Sequence, residues 1–301
     1  MNKLLSICDI KDNVLEILDL AKKFKQGEIK GKPLEGKSLA MIFEKSSTRT
    51  RVSFDIAMYQ LGGKSLFLSQ SDLQMGRGEP ISDTAKVLSR YVDGIMIRAV
   101  SHSDVEELAV EADVPVISGL TNIEHPCQAL ADMQTIEEQL GEFKNKKLCF
   151  MGDGNNVCNS LILIAACLGM NMAVACPKGY EPDEEIVKKA VAISKETSCE
   201  ILITDNIELA IKNADAVYTD VWVSMGDEEE QEKRRDDLIK YQVNNELMKL
   251  ANENAIFMHC LPAIRGEEVT SEVIDGPQSV IFDEAENRLH AQKAVLYYFL
   301  K

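Results

Sequence analysis

Ser38-Leu39-Ala40-Met41-Ile42-Phe43 is followed almost at once by Ser46-Ser47-Thr48-Arg49-Thr50-Arg51. The apolar run predicts a buried strand. Val52, Phe54, Ile56, Ala57, Tyr59 and Leu61 beyond it predict a helix that stops at Gly62-Gly63. A strand, a run of hydroxyls and guanidiniums, then a helix start outlines an anion site. The first N–H groups of a helix lack intrahelical partners, and the dipole favours negative charge there. Ser and Thr cap those amides and donate to phosphate oxygens, while Arg offers a planar fork of donors. A lone Ser-Thr pair would be read as an ordinary helix cap beside surface arginines. Two arginines following and interleaved with four hydroxyls favour the oxyanion site instead.

Composition narrows the partners. The 301 residues suffice for two buried cores, with 45% apolar and 27% charged residues. A net charge of −16 with no lysine-rich block argues against nucleic acid as a partner, and it makes local arginine clusters more telling. No apolar run is long enough to span a bilayer and no signal-peptide pattern opens the chain, so no membrane partner is expected. The eight cysteines, several inside apolar runs (Cys149, Cys158, Cys167, Cys176), form no Cys-x-x-Cys pair. They read as reduced, mostly buried thiols of a cytoplasmic protein, with neither a metal site nor a disulfide framework.

Outward from the opening stretch, strands and helices alternate. Strands are expected at Leu39–Phe43, Ser65–Leu68, Gly94–Ile97 and Val114–Ile117. Helices fall before and between them, from Val14–Phe24 onward, and a longer one opens at Pro126. The pattern then restarts, with strands at Lys147–Met151, Met172–Ala175, Ile201–Ile203, Ala216–Tyr218, Ile256–His259 and Val280–Phe282. A final amphipathic helix is expected over Ala285–Leu300. The prediction is an α/β protein of two doubly wound parallel-sheet domains. In such sheets ligands bind beyond the carboxyl ends of the strands, so the strand-to-helix turns and an interdomain cleft are the places to search. The charge run from Asp227 through Asp237 reads as a solvated loop.

Several of those turns carry chemistry. Gly94–Ile97 ends in Arg98. Thr121 to Gln128 places His125 and Gln128 at one helix start, suited to a carbonyl oxygen and an amide nitrogen. Gly152-Asp153-Gly154-Asn155-Asn156-Val157 resembles a dinucleotide fingerprint, but Val157 stands at the third glycine position. The next strand ends in Cys176-Pro177-Lys178 where a ribose-binding acid is needed, which disfavours the nucleotide reading. His259-Cys260 invites a thiolate–base pair. Neighbours on an extended chain face opposite ways, however, so binding is the better reading for Cys260.

Taken together these motifs resemble the aspartate/ornithine carbamoyltransferases nearly end to end. Ser47-Thr48-Arg49-Thr50-Arg51 is similar to the family's carbamoyl-phosphate motif, and His125-Pro126-Cys127-Gln128-Ala129-Leu130-Ala131-Asp132 to its second motif. Asp220 with Ser224-Met225-Gly226 is similar to the ornithine loop, and His259-Cys260-Leu261-Pro262 to the motif that closes the site. Gln74, in Asp72 to Glu79, is of the ornithine type, where aspartate enzymes place a lysine.

The resemblance implies transfer of the carbamoyl group of carbamoyl phosphate to the side-chain amine of L-ornithine, giving L-citrulline and phosphate. It places the reaction in arginine biosynthesis or the arginine deiminase route, and it implies neither cofactor nor metal. Ser47, Thr48, Arg49, Thr50, Gln74, Arg98, His125, Gln128, Cys260, Leu261 and Arg288 would bind carbamoyl phosphate. Asn156, Asp220, Ser224 and Met225 would bind ornithine, and Arg98, His125, Cys260 and Asp220 would be catalytic. Arg51 would brace the turn by pairing with a carboxylate. Residues 1–134, rejoined by the C-terminal helix 285–301, would form the carbamoyl-phosphate domain, and 135–284 the ornithine domain. The Gln74 loop would reach a neighbouring subunit, implying a trimer or a multiple of it. Putrescine or aspartate as acceptor, an NAD-binding dehydrogenase and a non-catalytic binding protein are the alternatives.

Overall fold

The computed structural model describes residues 3–74, 78–223 and 230–301. The chain divides into two compact units, Met1–Ala131 with Asn287–Lys301, and Asp132–Glu286. Among the described residues each unit is built on a five-stranded, all-parallel sheet.

The first unit runs β1 (Lys3–Leu4), α1 (Val14–Lys25), β2 (Ser38–Phe43), α2 (Thr48–Leu61), β3 (Lys64–Ser69), α3 (Ile81–Leu88), β4 (Gly94–Arg98), α4 (His102–Glu111) and β5 (Val116–Leu120) into α5 (Pro126–Leu140). Its strand order is β1-β5-β4-β2-β3. Strand β2 lies inside the sheet, and Leu39 to Phe43 are all buried. A strand covered on both faces must be apolar continuously rather than alternately, which is why the Ser38–Phe43 run reads so plainly. Gly62, at φ 89°, ends α2 in the left-handed conformation that glycine adopts at low cost. The end of the last helix clusters with this unit: Leu300 fills the space beside Gly94, and the rings of Tyr297 and Phe24 meet edge to face.

The second unit continues with β6 (Lys147–Met151), α6 (Asn156–Leu168), β7 (Asn171–Ala175), α7 (Glu184–Thr197), β8 (Ile201–Thr204), α8 (Ile207–Ile211) and β9 (Ala216–Thr219). It ends with α9 (Gln231–Leu238), α10 (Asn245–Met248), β10 (Ile256–Met258), α11 (Ser271–Ile274) and the start of α12 (Ile281–Leu300). The strand order is β10-β9-β6-β7-β8. Phe150 and Tyr218 stack face to face from the neighbouring strands β6 and β9.

Several expectations need correction. Val280–Phe282 is not a strand, because α12 already begins at Ile281. Ser279 makes only an isolated bridge to Phe257. A three-residue apolar run has no period of its own, and here Ile281 is buried while Phe282 is exposed, as on a helix. Arg288 therefore sits two turns into the last helix rather than in its first turn. The charge run is not wholly loop, since Gln231–Leu238 is helical. Leu238 is buried there, Arg234 meets Asp153 at 2.9 Å, and Arg235 pairs with Glu267. Among the described residues Arg51 makes no carboxylate pair; its guanidinium lies 3.7 Å over the ring of Phe67. That geometry is a cation–π contact. Among the described residues no helix is long and apolar enough to cross a membrane.

The glycines after β6 have a packing cause. A Cβ on Gly154 would stand 2.3 Å from the backbone nitrogen of Pro182, so the chain there admits no side chain. Gly154→Ala is expected to lower the urea midpoint by the equivalent of roughly 1–3 kcal/mol, as overpacking does. An unchanged midpoint would show that the Glu181–Pro182 segment yields freely.

Candidate functional site

In the first unit the chemistry gathers at the carboxyl ends of β2 and β4 and at the starts of α2 and α5. Ser47 caps α2 with an extended backbone, and its hydroxyl accepts the Thr50 N–H at 3.3 Å. Thr48 is exposed, Ser47 and Arg49 are half-buried and Thr50 is buried. Arg98 ends β4 and His125 immediately precedes α5, both buried. Arg288 reaches the same place from α12. Its guanidinium donates to Gln128 Oε1 at 2.6 Å and to Thr50 Oγ1 at 3.1 Å. One planar fork thus links α2, α5 and α12 at buried positions.

Electrostatics define what this cluster can hold. Burial drives the His125 pKa well below its ordinary value, and the charges of Arg288, Arg98 and Arg49 push it the same way. The imidazole is therefore neutral, with one N–H donor and one acceptor nitrogen. Three guanidiniums acting on one imidazole, with hydroxyls and a helix start beside them, make an anion site that also offers neutral donors to a carbonyl oxygen. Gln74 is exposed on the loop after β3, where its backbone carbonyl accepts the Glu79 N–H at 3.1 Å.

In the second unit three strand ends converge. Asp220 follows β9 and is buried; its Oδ2 accepts the Asn155 side-chain N–H at 2.8 Å. Its Oδ1 accepts from the Val221 amide at 2.8 Å and from the Cys260 thiol at 3.1 Å. Burial raises the Cys260 pKa well above the ordinary thiol value, and Asp220, Glu284 and Asp132 add to the rise. Cys260 is thus a protonated donor rather than a thiolate nucleophile. His259 is fully buried, and both its ring nitrogens are engaged elsewhere. His259 Nδ1 accepts the Leu261 N–H at 2.9 Å, which leaves the proton on Nε2, 3.1 Å from Glu268 Oε1. Asp220, His259 and Cys260 carry ligand-type atoms within 4.8 Å of one another. The thiol proton and both imidazole nitrogens are already committed to hydrogen bonds, so the set as folded is an internal network rather than an open metal site.

The dinucleotide reading also fails on geometry. Asn155 caps α6 with its own side chain, accepting from the Val157 and Cys158 amides at 3.0 and 3.2 Å. A pyrophosphate would need those amides. Asn156 is the first residue of α6 and half-buried, beside Asn155. Cys260 and Leu261 are half-buried at the end of β10. Ser224 and Met225 lie outside the described residues.

Comparison with known proteins decides the family. Residues 2–138 match the aspartate/ornithine carbamoyltransferase carbamoyl-P binding domain, and residues 144–299 the Asp/Orn binding domain of the same proteins. The chain belongs to the aspartate/ornithine carbamoyltransferase family. It is 71% identical to an ornithine carbamoyltransferase of Methanobrevibacter smithii over the whole of both chains. The solved ornithine carbamoyltransferase of Pyrococcus furiosus superposes with a TM-score of 0.96 at 52% identity, covering 99% of this chain and 97% of that one. The anabolic ornithine carbamoyltransferase of Campylobacter jejuni does so at 0.94 with 40% identity, over 99% of each chain.

Within this family member, sequence reasoning missed Asn155, Tyr218, Glu268 and Glu284 as supports of the second cluster. Glu268 and Glu284 sit among many acids in a chain of net charge −16, and neither was singled out. The one available signal was position, since Glu284 falls just ahead of Arg288 at the start of the last helix.

His125 also gives a pH dependence. Between the ordinary value of 6.5 and its depressed folded value, the unfolded chain binds a proton that the folded chain does not. Stability should therefore fall as pH drops below about 6.5. His125→Gln should flatten that slope in urea titrations, and an imidazole NMR signal titrating normally near pH 6.5 would contradict the assignment.

Proposed function

We propose that this chain transfers the carbamoyl group of carbamoyl phosphate to the side-chain amine of L-ornithine, giving L-citrulline and phosphate. The observation that carries the reading is the buried Thr50–Arg288–Gln128 link beside a neutral His125 and Arg98. That set addresses a phosphate, a carbonyl and an amide at one place. Full-length likeness to ornithine carbamoyltransferases supports it.

In this reading, residues 1–134 with 285–301 serve carbamoyl phosphate and residues 135–284 serve ornithine. Ser47, Thr48, Arg49 and Thr50 hold the phosphate, with Arg288 fixing Thr50 and Gln128. Arg98, neutral His125 and Thr50 donate to the carbonyl oxygen as it becomes an oxyanion. Gln128 and the Cys260 and Leu261 carbonyls orient the carbamoyl NH2. Asn156, Ser224 and Met225 hold the α-amino and α-carboxylate groups of ornithine, and Asp220 with the Cys260 thiol aims its side-chain amine. The amine attacks the carbonyl carbon as the neutral base, the C–O bond to phosphate breaks, and the amine proton is lost to solvent. A primary amine is mostly protonated at neutral pH, so the rate should rise on the alkaline side.

A trimer or a multiple of it is the proposed assembly, with Gln74 lent to a neighbour's phosphate site. Leu66 and Phe67 on the edge strand β3, with Val52 and Tyr59 on α2, are exposed apolar residues in the segment leading to the Gln74 loop. Their exposure beside an edge strand supports burial of that edge by a second copy. Eight free cysteines fit a reducing cytoplasm, and the substrates place the protein in arginine metabolism.

The assay offers carbamoyl phosphate with ornithine, putrescine, N-acetylornithine or aspartate and measures ureido product. Product with ornithine well above the others is expected, and none with ornithine would falsify the reading. Arg49→Ala should cut turnover by about 100-fold or more, the scale of losing an oxyanion donor, with carbamoyl phosphate affinity lost in parallel. Normal affinity in that variant would remove Arg49 from the phosphate site.

A further inference from the structure

Asp132, Tyr218 and Glu284 form a polar cluster that the proposed chemistry does not use. Asp132 lies on α5, Tyr218 in β9 and Glu284 in the first turn of α12, and all are fully buried. The Tyr218 hydroxyl is 3.1 Å from Glu284 Oε1 and 3.4 Å from Asp132 Oδ2. Both carboxyl groups therefore crowd one hydroxyl, which can donate to only one of them at a time. Two carboxylates this close within a low-dielectric interior do not both ionise, and a proton on one lets it donate to the other. The titratable groups facing the pair are Tyr218 in β9, Asp220 after it and Cys260 after β10. Asp220 and Cys260 are acids that disfavour a second negative charge, whereas the Tyr218 hydroxyl and the His259 N–H, as donors to Glu284, pull the other way. Burial and Asp132 together raise the Glu284 pKa well above the ordinary carboxyl range.

Glu284 has a second contact that links the pair to the candidate site. Its Oε2 accepts the backbone N–H of His259 at 2.9 Å. Leu261 N–H donates back to the His259 ring, and Glu268 also accepts the Ile264 N–H at 2.6 Å. His259 is thus held by its amide and by both ring nitrogens. Any shift in it moves the Cys260 thiol and the Cys260 and Leu261 carbonyls.

We infer that Asp132 and Glu284 share a single proton, and that Glu284, held neutral, is a positioning residue that sets His259–Pro262 for carbamoyl transfer. The proton-sharing half needs no substrate, while the positioning half rests on the carbamoyl-transfer reading. A neutral Glu284 donates to Asp132 and accepts from Tyr218 and His259 at once. An ionised one would put further negative charge near Asp220 and Cys260, favouring the protonated, unreactive form of the incoming amine.

Glu284→Gln keeps a donor to Asp132 and an acceptor for the His259 N–H, and the Tyr218 hydroxyl can turn its proton to Asp132 Oδ2 instead. Glu284→Leu keeps the bulk but leaves the His259 N–H without its acceptor. Turnover by Glu284→Leu should fall about tenfold or more, the consequence of one buried donor left unmet. Inorganic phosphate affinity should stay unchanged in that variant. Glu284→Gln should restore most of the turnover. The infrared spectrum at neutral pH should hold a protonated-carboxyl C=O band in the wild type that Glu284→Gln lacks. In urea titrations the folded-to-unfolded ratio of wild type relative to Glu284→Gln should drop by up to about tenfold per pH unit above the ordinary carboxyl range. Absence of the infrared band overturns the shared proton. A Glu284→Gln enzyme as slow as Glu284→Leu, or a fully active Glu284→Leu enzyme, overturns the positioning role. Should Glu284→Leu not fold, Glu284→Gln and the infrared band still decide. The spectroscopic and urea readouts need no turnover, so their failure is distinct from a wild type that makes no citrulline.

Discussion

Arg288 is the interaction on which the first unit's chemistry depends. Its guanidinium joins Gln128, 160 residues earlier, to Thr50, 238 residues earlier, and does so at buried positions. A long cationic side chain loses conformational freedom and hydration when buried, and hydrogen bonds to fixed acceptors offset that loss. Here the acceptors are an amide and a hydroxyl, neutral groups that satisfy donors without cancelling charge. The positive charge therefore stays available to whatever occupies the helix start at Ser47. It also acts on His125, whose neutral state follows from burial first and from Arg288, Arg98 and Arg49 next. One tie thus sets both the geometry and the polarity of the cluster.

The second unit uses the opposite sign. Asp220 is a buried carboxylate surrounded by donors: the Asn155 amide, the Val221 N–H and the Cys260 thiol. Those donors fix both oxygens and make the carboxylate a directed acceptor. The backbone that presents Cys260 is itself set by buried side chains, with Glu268 and the Leu261 N–H on the His259 ring and Glu284 on its amide. Three acids, Asp220, Asp132 and Glu284, act on Cys260, so its thiol keeps its proton. Such an arrangement does not create nucleophilic sulfur.

Legibility in the sequence tracked local pattern. The parallel strands were readable because a strand buried on both faces is apolar without interruption, as Leu39–Phe43 and Leu148–Met151 are. Their terminating turns were readable because Ser47–Thr50 and Asn155 sit at helix starts, where residue choice is constrained by unpaired amides. Val280–Phe282 misled because three residues carry no period. The charge run misled because its helix is held by tertiary contacts, Arg234 to Asp153 and Arg235 to Glu267, rather than by an apolar stripe. The hidden part of the candidate site is likewise tertiary. Nothing local distinguishes Glu268 or Glu284 from the exposed acids, since burial is decided by segments far away in the chain.

That asymmetry has a physical reason. Groups that meet a ligand must stand at strand ends and helix starts, where the backbone itself is constrained and leaves a short motif. Groups that hold those residues in place need only be within hydrogen-bond reach, and any element that passes nearby can supply them. Hence Arg98, His125 and Cys260 announce themselves by position, while Tyr218 and Glu284 appear only once β9, β10 and the start of α12 are packed together. The supporting residues are also where charge must be managed most strictly. A buried acid with an acceptor role on one side and an acid neighbour on the other is compatible with the fold only if it keeps its proton. The fold therefore limits negative charge beside Asp220, and that limit suits an amine that must reach its partner unprotonated.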